Sequence, residues 1–215
     1  MNPIATHARK HDLVRLVLVG WLLFMVPLVG CQTSVSVLVK DEDLAKPAAP
    51  ANLKVTLLSK ARDIRDKPRD HVGRHFFLLM PGPQVKPEEG RLDHAIAKNM
   101  KTALEASGYS VSMVDRLRDA TGPVVVVQID DWRNNLFMFP YPLAAGWGKM
   151  RLSLHVLTPE GKELWAGATE GHWGVMASLF YMCGFEMRVQ RDLKANLNQI
   201  MTMVSSEEFK KQISP

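Results

Sequence analysis

Few residues of this 215-residue chain are spaced for chemistry. His71 and His75 stand four apart, and on a helix that spacing would set two imidazoles on one face as metal ligands. Gly73 and the neighbouring charges argue against a helix, and no glutamate completes an HExxH pattern, so no metal site is expected. Asp130 and Asp131 are adjacent, and adjacent residues of a strand point to opposite faces, which speaks against a paired acid–base site. Ser153 and Ser178 lack the glycine pattern of a nucleophile elbow. No P-loop or GxGxxG is present. The chain is therefore expected not to be an enzyme and to need no cofactor. Two thiols remain: Cys31, directly after Gly30 at the end of an apolar run, and Cys183 far downstream.

The surroundings of Cys31 give its thiol a use. Arg9, Lys10 and Arg15 against Asp12 make a basic leading segment, and Leu16 to Val29 is almost wholly apolar. As a helix that run would span about 21 Å, short of the roughly 30 Å hydrocarbon core of a bilayer. Pro27 then breaks it ahead of a small residue. The pattern is that of a secretory signal over residues 1–30. Leu28-Val29-Gly30-Cys31 resembles the lipobox of bacterial lipoproteins, although Val29 stands where Ala or Ser is commoner. The resemblance implies that the Cys31 thiol is lipidated, carrying palmitate-type acyl chains, and that cleavage leaves Cys31 first. Because Gln32 is not Asp, it also implies the outer membrane, periplasmic face. The other reading is an uncleaved membrane helix with Cys31 as a bystander. Loss of residues 1–30, with three Lys/Arg and one Asp, lowers the formal charge from +5 to +3. That modest balance comes with no basic helix or aromatic platform, so no nucleic-acid partner is expected. With Cys31 spent on lipid, Cys183 has no partner for a disulfide. It reads as buried and inert, with a reactive thiol as the alternative.

Behind the signal, residues 31–52 read as a lipidated tether. Thr33–Val39 alternates like a strand, but the charged and Pro/Ala-rich stretch from Lys40 to Ala51 suggests extended, unpacked chain. Residues 53–215 are expected to form one domain. Leu53–Leu58 reads as a strand and Lys60–Arg74 as a charged loop. His75–Met80 reads as a further strand, stopped by Pro81, Pro83 and Pro87. In the helix expected over Glu89–Ser107, Leu92, Ile96, Met100 and Leu104 share a face, with Gly108 behind it as the C′ residue. Tyr109–Met113 alternates as a strand, and the four valines at 124–127 predict a strand buried on both faces. Met150–Val156 and Glu163–Thr169 read as an antiparallel pair. Val189, Leu193, Leu197, Ile200 and Val204 mark a long helix, and Ser205 with Glu208 has capping-box spacing for a last short one. This order predicts an α+β fold: a mostly antiparallel sheet with two main helices on one face.

That order behind a lipobox resembles the small outer-membrane lipoproteins of the YajG-like kind. More loosely it is similar to the auxiliary lipoproteins of envelope ABC transport and lipopolysaccharide assembly. The likeness rests on Val55–Asp63 with His71-Val-Gly73, on Leu104–Tyr109, on Val124–Ile129 with the 150–170 hairpin, and on Glu207–Gln212. It implies no catalytic signature.

Two apolar stretches have no place in that pattern. Leu136–Trp147 holds Phe137, Phe139, Tyr141 and Trp147, and its prolines at 140 and 142 predict a loop. Trp173–Phe185 holds Trp173, Phe180 and Phe185. In a meander of 124–131, 150–157 and 163–170, the connections after the first and third strands leave from one end, so the two stretches should meet there. They are expected either to form a surface for an envelope protein or lipid partner, or to fold over each other as a satellite cluster. The first case predicts a membrane-anchored binding protein. The second predicts an accessory subunit of a transport or assembly complex. A hydrolase of envelope polymers is a third possibility.

Overall fold

The computed structural model describes residues 34–45, 50–66, 70–77, 80–139, 143–178 and 185–214. In chain order the elements are β1 (Ser34–Val35), β2 (Lys54–Leu58), β3 (Arg62–Asp63), β4 (Gly73–Phe77), β5 (Met80–Pro87), α1 (Leu92–Ala106) and β6 (Ser110–Val114). Then come β7 (Val124–Met138), β8 (Leu143–Leu157), β9 (Glu163–Ser178), α2 (Phe185–Val204) and α3 (Glu207–Ile213).

β7 is the spine. One of its edges carries β8 over nearly its whole length, and β8 in turn carries β9, all antiparallel. Its other edge is shared end to end by three strands, all parallel to it. β2 lies at Val124–Val125, β3 at Gln128–Ile129 and β4 at Asn134–Met138. Outside these, β6 pairs parallel with β2, β5 antiparallel with β4, and β1 parallel with β5. The class is α+β as expected, but the sheet is mixed. The cause is the connections: β2 reaches β6 through helix α1, and a helical crossover permits the parallel neighbour that a hairpin cannot.

The four valines are buried on both faces, as their run predicts. Val125 and Val127 join the main core under the helices, while Val124 and Val126 pack with Leu58 and Leu157 in a small cluster on the opposite face. The stripe Leu92, Ile96, Met100 and Leu104 of α1 is fully buried, and so is Val189, Leu193, Leu197, Ile200 and Val204 of α2. Gly108, at φ +86°, closes α1 where a Cβ would lie 2.4 Å from that of Pro50. The last helix is capped one residue later than its spacing suggests: Ser206, not Ser205, accepts from the Phe209 amide.

The expected tether departs most from its reading. Val35, Val37, Val39 and Leu44 are all buried in the main core, so the chain is docked from Ser34 to Leu44. Asn99 of α1 holds it: its amide donates to the Val37 carbonyl at 2.6 Å, and its side-chain oxygen accepts from the Val39 amide at 2.9 Å. The Glu89 carboxylate accepts from the Val37 amide and the Ser36 hydroxyl. Ser34 to Pro215 accordingly forms one compact unit. Prolines 81, 83 and 87 do not stop a strand either. They lie within β5, which is flanked by β4 and otherwise only by the two residues of β1, and such an edge strand tolerates missing amide donors.

Candidate functional site

The apolar stretch expected as a loop at 136–147 is a hairpin. β7 runs on to Met138 and β8 starts again at Leu143, so Pro140 and Pro142 fall between the two strands. β9 follows β8 to Ser178, which puts Gly174 opposite Trp147 and Met176 opposite Ala145. The described parts of the two apolar stretches, residues 143–147 and 173–178, therefore meet at one end of the meander as paired strands.

Which residues line each face there follows from the alternation of a pleated strand. A register shift after Ile129 resets it. Beyond it Trp132, Asn134 and Leu136 are buried toward the helices, while Arg133, Asn135 and Phe137 point the other way. On β8, Gly146, Gly148 and Met150 are buried, and Trp147 and Lys149 face outward. On β4, His75 is buried and Phe76 faces outward. The parallel pairing sets Phe76 directly opposite Phe137. The Phe76 and Phe137 rings stack at 4.4 Å between centroids with 1° between their planes. Phe137 stacks in turn on Trp147 at 4.0 Å and 13°. Three rings from three strands thus form one ladder on the face opposite the described helices. It is open to solvent at its far ring, where Trp147 is 47% exposed, and Phe139 just beyond β7 is 39% exposed.

Charged groups begin level with Trp147 on the same face and continue one alternation inland. Arg133 holds Asp131 at 2.5 Å, Lys149 holds Glu170 at 2.7 Å, and Arg74 lies opposite Asn135. The Arg133 guanidinium is stabilised in its charged form by that hydrogen bond to Asp131, and Lys149 keeps the Glu170 carboxyl below its ordinary range. Farther inland Asp130 accepts from Gln128 at 2.7 Å and from the Ser153 hydroxyl. Asp130 and Asp131 are thus each occupied by their own partners, Asp130 by Gln128 and Ser153 and Asp131 by Arg133.

Of the residues singled out in the sequence, Phe137, Phe139 and Trp147 come together here. Trp173 has its backbone in β9 opposite Gly148. Cys31, Tyr141, Phe180 and Cys183 lie outside the described residues. Phe185 does not belong to the surface. It starts α2 as a core residue, edge-on to the His75 ring at 5.6 Å. Phe76 was missed, because only the parallel β4–β7 register brings it beside Phe137. His71 and His75 do not share a helix face, since His71 precedes β4 and His75 lies within it. Burial holds the His75 imidazole neutral by lowering its pKa.

Elsewhere, an open cleft of about 430 Å³ is lined by Ala61, Asp63, Asp70 and the start of α1 from Gly90 to Asp93. Each of its acids is spoken for: Asp63 by Arg65, Asp70 by Lys86 and Asp93 by Arg91. Among the described residues no group of three or more His, Cys, Asp or Glu could hold a metal, and no helix is long and apolar enough to cross a membrane.

The fold is that of an α+β protein whose mixed sheet carries helices on one face and ends in an antiparallel, aromatic meander. Protein XCC0632 from Xanthomonas campestris, described by the family model DUF330, shares it at a TM-score of 0.50 with 13% identity, over 83% of this chain and 95% of that one. A minor lipoprotein from Acinetobacter baumannii matches at TM-score 0.36 and 8% identity, over 77% of this chain and 92% of its own. Lipoprotein GNA1162 from Neisseria meningitidis matches at 0.32 and 11%, over 69% and 99%. No family model and no curated protein matches the sequence.

Proposed function

We propose that this chain is a non-enzymatic lipoprotein of the bacterial cell envelope, anchored through Cys31 on the periplasmic face of the outer membrane, that works by binding through the aromatic end of its meander. The observation that carries the binding role is the ladder Phe76–Phe137–Trp147, which ends in an exposed indole on a face that none of the described helices covers. A folded protein gains little by leaving large rings in water, and aromatic residues with a cationic margin are the composition of a binding surface. The anchor is supported by the apolar run ending in Leu-Val-Gly-Cys. The alternative, an accessory subunit with these residues buried internally, is less favoured by the exposure of Trp147 and Phe139.

Two measurements in cells expressing the full chain test the reading. Radiolabelled palmitate should enter the wild type and not Cys31→Ser; label in the variant refutes the anchor. Phe139→Ser should keep the melting temperature while crosslinks from this surface to envelope components disappear. A large fall in melting temperature would mean that the ring is core and not surface.

A further inference from the structure

The outer edges of the sheet are built unequally, and the difference points to a partner. β9 pairs with β8, and among the described residues no strand takes its other edge. Such an edge presents a row of backbone donors and acceptors to any passing strand, and proteins blunt it with prolines, lysines, shortness or a cover. β5, on the far side of β7, carries Pro81, Pro83, Lys86 and Pro87. β6 is short, at 5 residues. β9 runs for 16 residues from Glu163 to Ser178 with no proline and no lysine.

Which backbone groups face that edge follows from the ladder. In an antiparallel pair, opposed residues turn their amides and carbonyls either toward each other or both away. The Ile129 carbonyl accepts from the Ile64 amide, and the Asn134 amide donates to the Val72 carbonyl, so both residues of β7 turn away from β8. Their partners Leu152 and Gly148 therefore turn toward β9 and meet Thr169 and Trp173 there. The alternate residues Ala168, Glu170, His172 and Gly174 turn their backbones to the free edge. Gln199 of α2 agrees with this: its side-chain amide donates to the Glu170 carbonyl at 3.4 Å, in an exposed contact. The same four residues are exposed, and a Cβ added at Gly174 would meet nothing.

We infer that the free edge of β9 is a pairing surface for a second copy of this chain, joined antiparallel about a two-fold axis at Gly171. Alternation and symmetry leave few registers. Residues with outward backbones must meet one another, and over this stretch those are the even-numbered ones. An axis at Glu170 or at Gly171 then gives the longest overlap, whereas an axis midway between them would set even against odd. With the axis at Glu170, the two Glu170 side chains stand opposite each other, and like charges directly opposite destabilise a strand pair. With the axis at Gly171, Glu170 of each copy stands opposite His172 of the other, and Ala168 of each opposite Gly174 of the other. Acid then faces imidazole, and small residues flank them on the exposed face. This match lies between residues of one segment, so it selects a second copy over an unrelated strand. A two-fold pair is also closed, because each copy spends its one β9 edge on the other.

The full chain, purified in detergent, should have the mass of two copies by light scattering once bound detergent is subtracted. Ala168→Pro removes an amide that points to the free edge, so the β8–β9 ladder keeps its bonds. The variant should stay folded by circular dichroism and dimerise about tenfold or more weakly, with one hydrogen bond lost on each side of the axis. Disulfide trapping reads the register, in membranes of cells expressing the full chain with Cys183→Ser. Ala168→Cys together with Gly174→Cys should crosslink two copies on mild oxidation, because those positions are directly opposed. Ala166→Cys together with Gly174→Cys, the positions opposed about Glu170, should not. Within one chain either pair lies about 20 Å or more apart along the strand, too far to bridge. Absence of the 168–174 crosslink overturns the proposal whatever the mass. Equal trapping by both pairs overturns it too, since that would mean chance collision along the edge. If Ala168→Pro folds and dimerises as tightly as the wild type, the contact lies elsewhere. If it does not fold, the two trapping pairs decide alone.

Discussion

Asp192 sits on α2 in the layer between helix and sheet, with its Oδ2 buried and without a hydrogen bond. Desolvation is the largest influence on it. Its pKa is pushed up to about 6, against the opposing pull of Arg191 and His172. The folded state thus holds this proton more tightly than the unfolded chain does. The resulting stability is full below the ordinary carboxylate pKa near 3.8 and is lost as pH rises through about 6. Asp192→Asn, which imitates the protonated acid, should therefore stabilise the protein at neutral pH by about 1 kcal/mol, a figure reduced for partial solvent screening. Melting curves at pH 4 and pH 7 check it: the gap between variant and wild type should widen with pH, and a constant gap would assign the effect to packing. Residue-scale chemistry of this kind was largely hidden in the sequence. Arg65 reads as one cation of a charged loop. It is in fact buried, with its guanidinium on both oxygens of Asp63 and on the carbonyls of His71 and Trp132. Only the tertiary meeting of β3 with β7 decides that.

At the scale of elements, the segment from Ser34 to Leu44 shows how a local pattern and its neighbours can conflict. The alternation of Val35, Val37 and Val39 is a strand signal, and the Pro/Ala-rich stretch after it is a linker signal. The valines prevail because Asn99, one turn after the buried Ile96 and next to the buried Met100, supplies a matched donor and acceptor to the passing backbone. Asn99→Ala would leave the Val37 carbonyl and Val39 amide buried without partners, at about 1–3 kcal/mol for each orphaned group. Amide exchange should then speed up across residues 34–40 ahead of the rest of the domain. Uniform acceleration would instead mean that the segment unfolds only with the whole. The meander shows a different limit. Helix stripes and the valine strand were legible because each is set by local periodicity. The hairpin was not, because two prolines suggested that the apolar stretch was all loop. They interrupt only the few residues between Met138 and Leu143. A strand pair already joined from Val124 to Trp132 can continue to its tip at little further entropic cost, since each added rung closes no new loop. Parallel pairings, between strands distant in sequence, left no local trace, and with them Phe76 escaped notice.

For the molecule as a whole, the anchor expected at Cys31 and the aromatic surface are two separate readings, and the length of chain between them can be varied to test each. A second contact made by a tethered body is governed by effective concentration, which falls as the connection lengthens. A flexible Gly/Ser insert of about 20 residues has an end-to-end distance of roughly 25 Å and loosens any contact that depends on the anchor. Inserting it between Thr33 and Ser34 leaves the signal, Cys31 and every described residue unchanged. The protein should still fractionate with membranes, since the acyl chains alone account for attachment. Crosslinks from Phe139 to envelope components should weaken if the anchor holds the surface at its partner, and raised salt should weaken them further as the charges of Arg74, Arg133 and Lys149 are screened. If those crosslinks stay undiminished in the lengthened chain at high salt, the rings bind on their own and the anchor contributes nothing to the contact. If attachment itself is lost, the rings and the anchor are not separable, and the docked segment is part of what the lipidation machinery must see.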